Sequence, residues 1–167
     1  MRASLSVTLA LLSTSVFAAE EPSGCDKFKW PIDRERAALT APDRAKLASG
    51  SEQAALPSPA ITLALVAPAD AKLPSPPERA PKDGTFAGFA SFKTAPKAGV
   101  YTISLSIGAW VDLVQNGHFL KPVAVSGATD CDGIRKTMKY ELSANPFVLQ
   151  VSGSKDNSIS IAILPSD

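Results

Sequence analysis

The residues with the most chemical potential in this chain of 167 residues form one short run, Asp130-Cys131-Asp132-Gly133. Two carboxylates around a thiol, followed by glycine, offer three chemistries: an oxygen-ligated cation loop, an activated thiolate or a disulfide. A calcium loop of the helix-loop-helix kind needs glycine at its sixth position and a bidentate glutamate at its twelfth. Counted from Asp130, Glu141 falls at the twelfth position, but Gly133 falls at the fourth and the residues between them read as strand. Arg135 and Lys136 would favour a thiolate at Cys131 by placing positive charge near it, yet the single histidine, His118, sits on the flank of a predicted hairpin. Two cysteines and one histidine leave a zinc site waiting for a carboxylate. No Gly-x-Ser-x-Gly elbow is present to build a serine nucleophile. No catalytic residue, no metal ligand set and no cofactor is therefore assigned. What remains is a tight turn that carries one half of a Cys25–Cys131 disulfide.

A disulfide requires an oxidising compartment, and the first residues point to one. Met1-Arg2 precedes an apolar stretch over residues 5–18 that is too short to span a bilayer. Val16-Phe17-Ala18 places compact residues where a leader is cut, so residues 1–18 read as a secretory signal. The expected location is periplasmic or secreted, and no membrane span is expected after the leader. Without Arg2, the 17 Lys and Arg become 16, equal to the 16 Asp and Glu. That neutrality argues against a nucleic-acid partner, which calls for a basic stripe. In such a compartment an even pair of cysteines reads as a bridge. Closing a loop of roughly 100 residues is worth about 4 to 5 kcal/mol in the chain-entropy model.

The elements that must hold this bridge follow in order. Residues 19–56 read as an N-terminal helical segment and linker. Ile32 and Leu39 lie on one helical face, Pro31 suits a first turn, and charged Asp33, Arg34, Glu35 and Arg36 cover the other side. A second short helical turn is expected over residues 43–49, ending near Gly50. Phe28 and Trp30 are expected to plug this segment into the domain. A strand follows over residues 61–66. Residues 67–84, with five prolines, cannot enter a sheet interior and should cross the surface in an extended form.

From Thr85 onward the hydrophobic period is two. Tyr101, Ile103 and Leu105 alternate with Thr102 and Ser104; Met138, Tyr140 and Leu142 alternate with Thr137, Lys139 and Glu141. Phe147, Leu149 and Val151, then Ile159, Ile161 and Ile163, continue the pattern. Each strand is apolar on one side, as antiparallel sheets with one solvated face require. The fold class is mainly β: an antiparallel, jelly-roll-like β-sandwich over residues 57–167, with the short helical segment ahead of it. Asn116-Gly117 between two strand-like runs predicts a two-residue type I′ hairpin. Its register sets Val114 against Phe119 and Asp112 against Lys121, a cross-strand charge pair. Val111, Leu113 and Leu120 then face the core, while Trp110, Asp112, Phe119 and Lys121 share the outer face. An outer face with two aromatics either receives a cover or binds something; the N-terminal segment is the expected cover.

The run of "AGVYTISLS", "WVDLVQNG" and "YELSANPFVLQVSGS" resembles the small β-sandwiches appended to secreted bacterial proteases, the pre-peptidase C-terminal domains. The whole chain after its leader is similar to a group of short exported bacterial proteins of unknown function. The resemblance lies in Cys25 to Pro31, Pro76 to Gly88, Ala109 to Gly117 and Cys131 to Lys136. Some of that group carry the label homogentisate 1,2-dioxygenase, an iron chemistry that needs two histidines and a carboxylate. His118 alone does not supply that set.

The expected function is that of an exported, non-catalytic binding or accessory protein, with an unknown protein or small ligand as partner. The alternatives are a small periplasmic enzyme with an unrecognised site, or a structural envelope protein acting through its aromatic outer face. A pocket joining His118 to two or more carboxylates would favour the enzyme.

Overall fold

The computed structural model describes residues 20–93 and 97–166, so the leader expected at residues 1–18 lies outside the described residues. The strands are β1 (Ala45–Leu47), β2 (Ser51–Gln53), β3 (Ile61–Ala64), β4 (Phe86–Phe92), β5 (Gly99–Leu105) and β6 (Trp110–Gln115). They continue with β7 (His118–Leu120), β8 (Ala124–Gly127), β9 (Lys136–Leu142), β10 (Phe147–Ser154) and β11 (Ser158–Pro165). One short α-helix, α1 (Asp33–Thr40), precedes them, itself preceded by a single 3-10 turn at Cys25–Lys27. A six-stranded sheet runs β1-β3-β11-β5-β9-β8, and a five-stranded sheet runs β2-β4-β10-β6-β7. All pairings are antiparallel except two short edge pairs, β1 with β3 and β2 with β4.

The alternation in sequence places one side chain in two between the sheets. Leu63, Ile103, Leu105, Met138, Ile161 and Tyr140 from the larger sheet meet Phe92, Leu113, Leu149 and Val151 from the smaller one in a continuous core. Phe92 and Phe147 stack with ring centroids 4.9 Å apart. The hairpin forms as expected. Asn116 and Gly117 both have positive φ, as a type I′ turn demands of its two central residues. Val114 stands opposite Phe119 and Gln115 opposite His118.

Cys25 and Cys131 form the disulfide, across 106 residues of chain. Cys131 opens a turn in which the Ile134 N–H donates to the Cys131 carbonyl at 3.3 Å, with Asp132-Gly133 at its corner. A Cβ on Gly133 would come within 2.7 Å of Thr40 Cγ2, so the turn is shaped to let α1 approach. Arg36 Nε donates to the Asp132 carbonyl at 2.7 Å, and Ser23 Oγ donates to the Asp130 carboxylate at 2.6 Å. The Asp-x-Asp-Gly run is thus a docking turn for the N-terminal segment.

An eight-residue helix is marginal alone and takes its stability from packing. α1 rests on the outer face of the six-stranded sheet, where Ile32, Ala38 and Leu39 bury against Ala60, Cys131, Ile134 and Ala162, with Phe28 and Trp30 packed at the margin. This corrects two expectations. The polar side of β5 and β9 is not solvated: Thr102, Ser104 and Thr137 are buried, and Ser104 Oγ donates to Thr137 Oγ1 at 3.0 Å. Nor does the segment cover the face of Trp110 and Phe119; its apolar residues and its disulfide hold it on the other sheet. The second helical turn expected over residues 43–49 is also absent. Ala45–Leu47 is strand β1, because Pro42 breaks the helix and Ala45 and Leu47 flank exposed Lys46 at a period of two. Ala45 N–H donates to the Ala60 carbonyl at 3.1 Å as β1 joins β3 in parallel.

Candidate functional site

The outer face of the five-stranded sheet is covered by the proline-rich connector at residues 67–84. Its prolines cannot supply ladder hydrogen bonds, so the sheet holds it by side chains. Gln150 accepts the Ser75 N–H at 2.9 Å and donates back to the Ser75 carbonyl at 3.1 Å. Asp112, directly across from Gln150 on β6, accepts the Glu78 N–H at 3.2 Å through one carboxylate oxygen. Its other oxygen accepts Trp110 Nε1–H at 2.7 Å. Asp112 is only 3% exposed. Burial raises its pKa, against the lowering influence of the two hydrogen bonds.

The expected cross-strand pair of Asp112 with Lys121 is not the contact made. The Lys121 ammonium pairs with the Glu78 carboxylate on the connector, and Asp112 turns to Trp110 and the Glu78 backbone. Phe119 is half-buried on the same outer side, opposite Val114. Of the four residues expected on this face, Trp110 and Asp112 are thus joined directly, Lys121 reaches them through Glu78, and Phe119 stands at the hairpin end.

Trp110 opens onto a cleft of about 570 Å³ at one end of the two sheets. The walls come from the N-terminal segment, the connector, the loop before β6, the β8–β9 corner and the irregular end of β10 near Gly153. At that end the β10–β4 ladder shifts register between Val151 and Ser154; such bulges are concentrated next to sites. Seven cations line the cleft: Lys27, Lys29, Arg79, Lys82, Arg135, Lys136 and Lys155. Glu21 is the one acid in its wall, and it pairs with Arg135. Lys27 is taken by its neighbour Asp26.

Two of these cations lie near the indole of Trp110. Arg79 Cζ is 5.8 Å and Lys136 Nζ 5.6 Å from the ring centroid. Both lie within cation–π range. Lys136 shares the register parity of Met138 and Tyr140, both core residues. A lysine at an inward position loses water, and burial lowers its pKa, helped by the charges of Arg135 and Arg79. Lys136 and Arg79 were the residues missed from the sequence. The signal for Lys136 was available: a basic residue at an inward step of a period-two strand. Arg79 carried none, since its place depends on how the connector crosses the sheet.

His118 lies far along the hairpin, in a shallow cleft of about 560 Å³ whose wall holds one carboxylate, Glu141. Among the described residues no group of three or more His, Cys, Asp or Glu is placed to hold a metal ion. Among the same residues no helix is long and apolar enough to cross a membrane.

No family model, no curated protein and no solved structure matches this chain.

Proposed function

We propose that this chain is an exported, non-catalytic binding or accessory protein whose ligand sits in the cleft beside Trp110. The observation that carries the reading is the aromatic ring itself. Its indole N–H is tied to buried Asp112, its β-strand is braced by β10, and its ring borders a concave space of a size that suits a small molecule. An aromatic fixed in this way is a pre-formed contact surface, and pre-formed contacts lose little freedom on binding. The disulfide supports an oxidising location, and the expected leader belongs to the same reading.

The strand orders support a jelly-roll reading of the fold. Leaving aside the short edge strands β1, β2 and β8, the successive strands β3, β4, β5, β6, β7, β9, β10 and β11 interleave as two nested keys. That architecture agrees with the resemblance to the accessory sandwiches of secreted proteases. The cleft at His118 joins it to a single carboxylate, which favours binding over hydrolysis.

A thermal-shift screen over neutral sugars, amino acids, aromatic acids, fatty acids and phosphate esters tests the reading. At least one class should raise the midpoint of the wild type by several degrees, and Trp110→Ala should abolish that rise. A rise that survives in Trp110→Ala would place the site elsewhere; no rise with any class would remove the binding role.

A further inference from the structure

We infer that the Trp110 cleft takes a compact polyanion, a small solute bearing two or more phosphate-like groups. The inference rests on the cleft being the binding site, and it adds the chemistry of what binds. Five of the cations in its wall, Lys29, Arg79, Lys82, Lys136 and Lys155, form no ion pair among the described residues. They are drawn from four separate parts of the chain: the N-terminal segment, the connector, β9 and the turn after β10. Like charges converge only at a cost, and the cost is visible at Lys136, whose pKa is lowered by burial and then by Arg135 and Arg79.

Ligand charge decides how much of that cost is relieved. A neutral ligand would leave all five unpaired cations repelling one another. A single carboxylate would offset one of them. A ligand with several negative charges in a body of pocket size would meet most of the five at once, with charge-assisted hydrogen bonds from lysine ammonium groups and the Arg79 fork. The apolar side of the wall, formed by Ala109, Trp110, Ala80 and Pro81, would seat the body that carries those charges. The concave shape favours a solute over a flat lipid surface.

Inorganic tripolyphosphate serves as the probe, added to nitrogen-labelled full-length protein at low ionic strength. The chain has two tryptophans, so their indole N–H resonances report two places. Tripolyphosphate should shift the Trp110 resonance and leave that of Trp30 in place. Its affinity should fall as salt is raised. Lys136→Gln should weaken binding at least tenfold, and Lys155→Gln, at the rim, at least threefold. Lys82→Gln, on the connector and away from any strand, is the check if Lys136→Gln folds poorly; it should weaken binding at least threefold.

An unmoved Trp110 resonance, or equal affinity in all three variants, would overturn the polyanion assignment. Should acetate or glucose move Trp110 while tripolyphosphate does not, the cleft would stand as a binding site and the ligand class would fall. Should none of the three probes move it and the thermal screen also be blank, both readings would fall. Phosphatidylcholine vesicles doped with phosphatidic acid separate the sources. Sedimentation with them that tripolyphosphate cannot compete away would overturn the solute in favour of a membrane headgroup.

Discussion

Both sheets have their outer faces covered, but by opposite means. Over the six-stranded sheet lies α1, held by an apolar cluster around Leu39 and Ala162 and by the Cys25–Cys131 bridge. Over the five-stranded sheet lies the connector, held by the amide of Gln150, the carboxylate of Asp112 and the Glu78–Lys121 pair. Apolar contact is strong but undirected, so the cluster under α1 seals a face, and the few polar contacts of that segment gather at the Asp130–Gly133 turn. Polar contact is weaker in net terms but fixed in direction. It sets Arg79 at the Trp110 ring, beside Lys136, and neither forms an ion pair among the described residues. The candidate site lies where the directed cover ends, with Lys29 of the N-terminal segment in the wall beside it.

The largest break in this contrast should come from the bridge. Replacing Cys25 and Cys131 together by Ser should lower stability by about 2 to 5 kcal/mol, measured by denaturant unfolding. If that double variant loses less than the Asp112→Ala variant described next, the sealed cover does not depend on its covalent tie.

A middle effect is expected at Asp112. Asp112→Ala leaves the Trp110 and Glu78 N–H groups without their acceptor. The loss should cost about 1 to 3 kcal/mol. Asp112→Asn keeps an acceptor and removes a buried charge. Because burial raises the pKa of Asp112, the folded protein binds that proton more tightly than the unfolded chain does. The wild type therefore loses stability as pH rises from the ordinary carboxylate range through the raised value, and the loss persists above it. The stability of Asp112→Asn relative to wild type should accordingly increase between about pH 3 and pH 7. A difference flat across that range would show that Asp112 bears no burial penalty.

The smallest effect is expected at Glu78→Gln. The Lys121 side chain is largely exposed. An ion pair of that kind should contribute about 0.2 to 1 kcal/mol. Its loss sharpens the contrast if binding at the Trp110 cleft changes while the melting point barely moves.

The bridge, the long β-strands and the Asn116–Gly117 hairpin were legible in the sequence because each is encoded locally or by simple counting. A period of two is visible within a single strand, and two cysteines have one possible partner each. The helical turn assigned to residues 43–49 failed because three-residue edge strands such as Ala45–Leu47 are too short to show a period and depend on a distant partner, here β3. The cover of each sheet was illegible for the same reason. Nothing near Pro31 or Pro76 states which sheet lies beneath. Overall neutrality was the more misleading signal, since equal totals concealed seven cations gathered from dispersed positions into one cleft.

Strand β11 has a consequence for how the molecule assembles. It lies between β3 and β5 in its sheet, and its outer residues Ala162 and Leu164 form part of the seat for α1. The helix precedes every strand in the chain, yet its seat is finished only when the last of them is in place. The first element of the chain and the last strand thus complete one another's packing, however far apart they stand in sequence. Cys25–Cys131 then locks across the face that this last strand finishes, so a single covalent bond ties the chain's first helical segment to a surface its final strand completes.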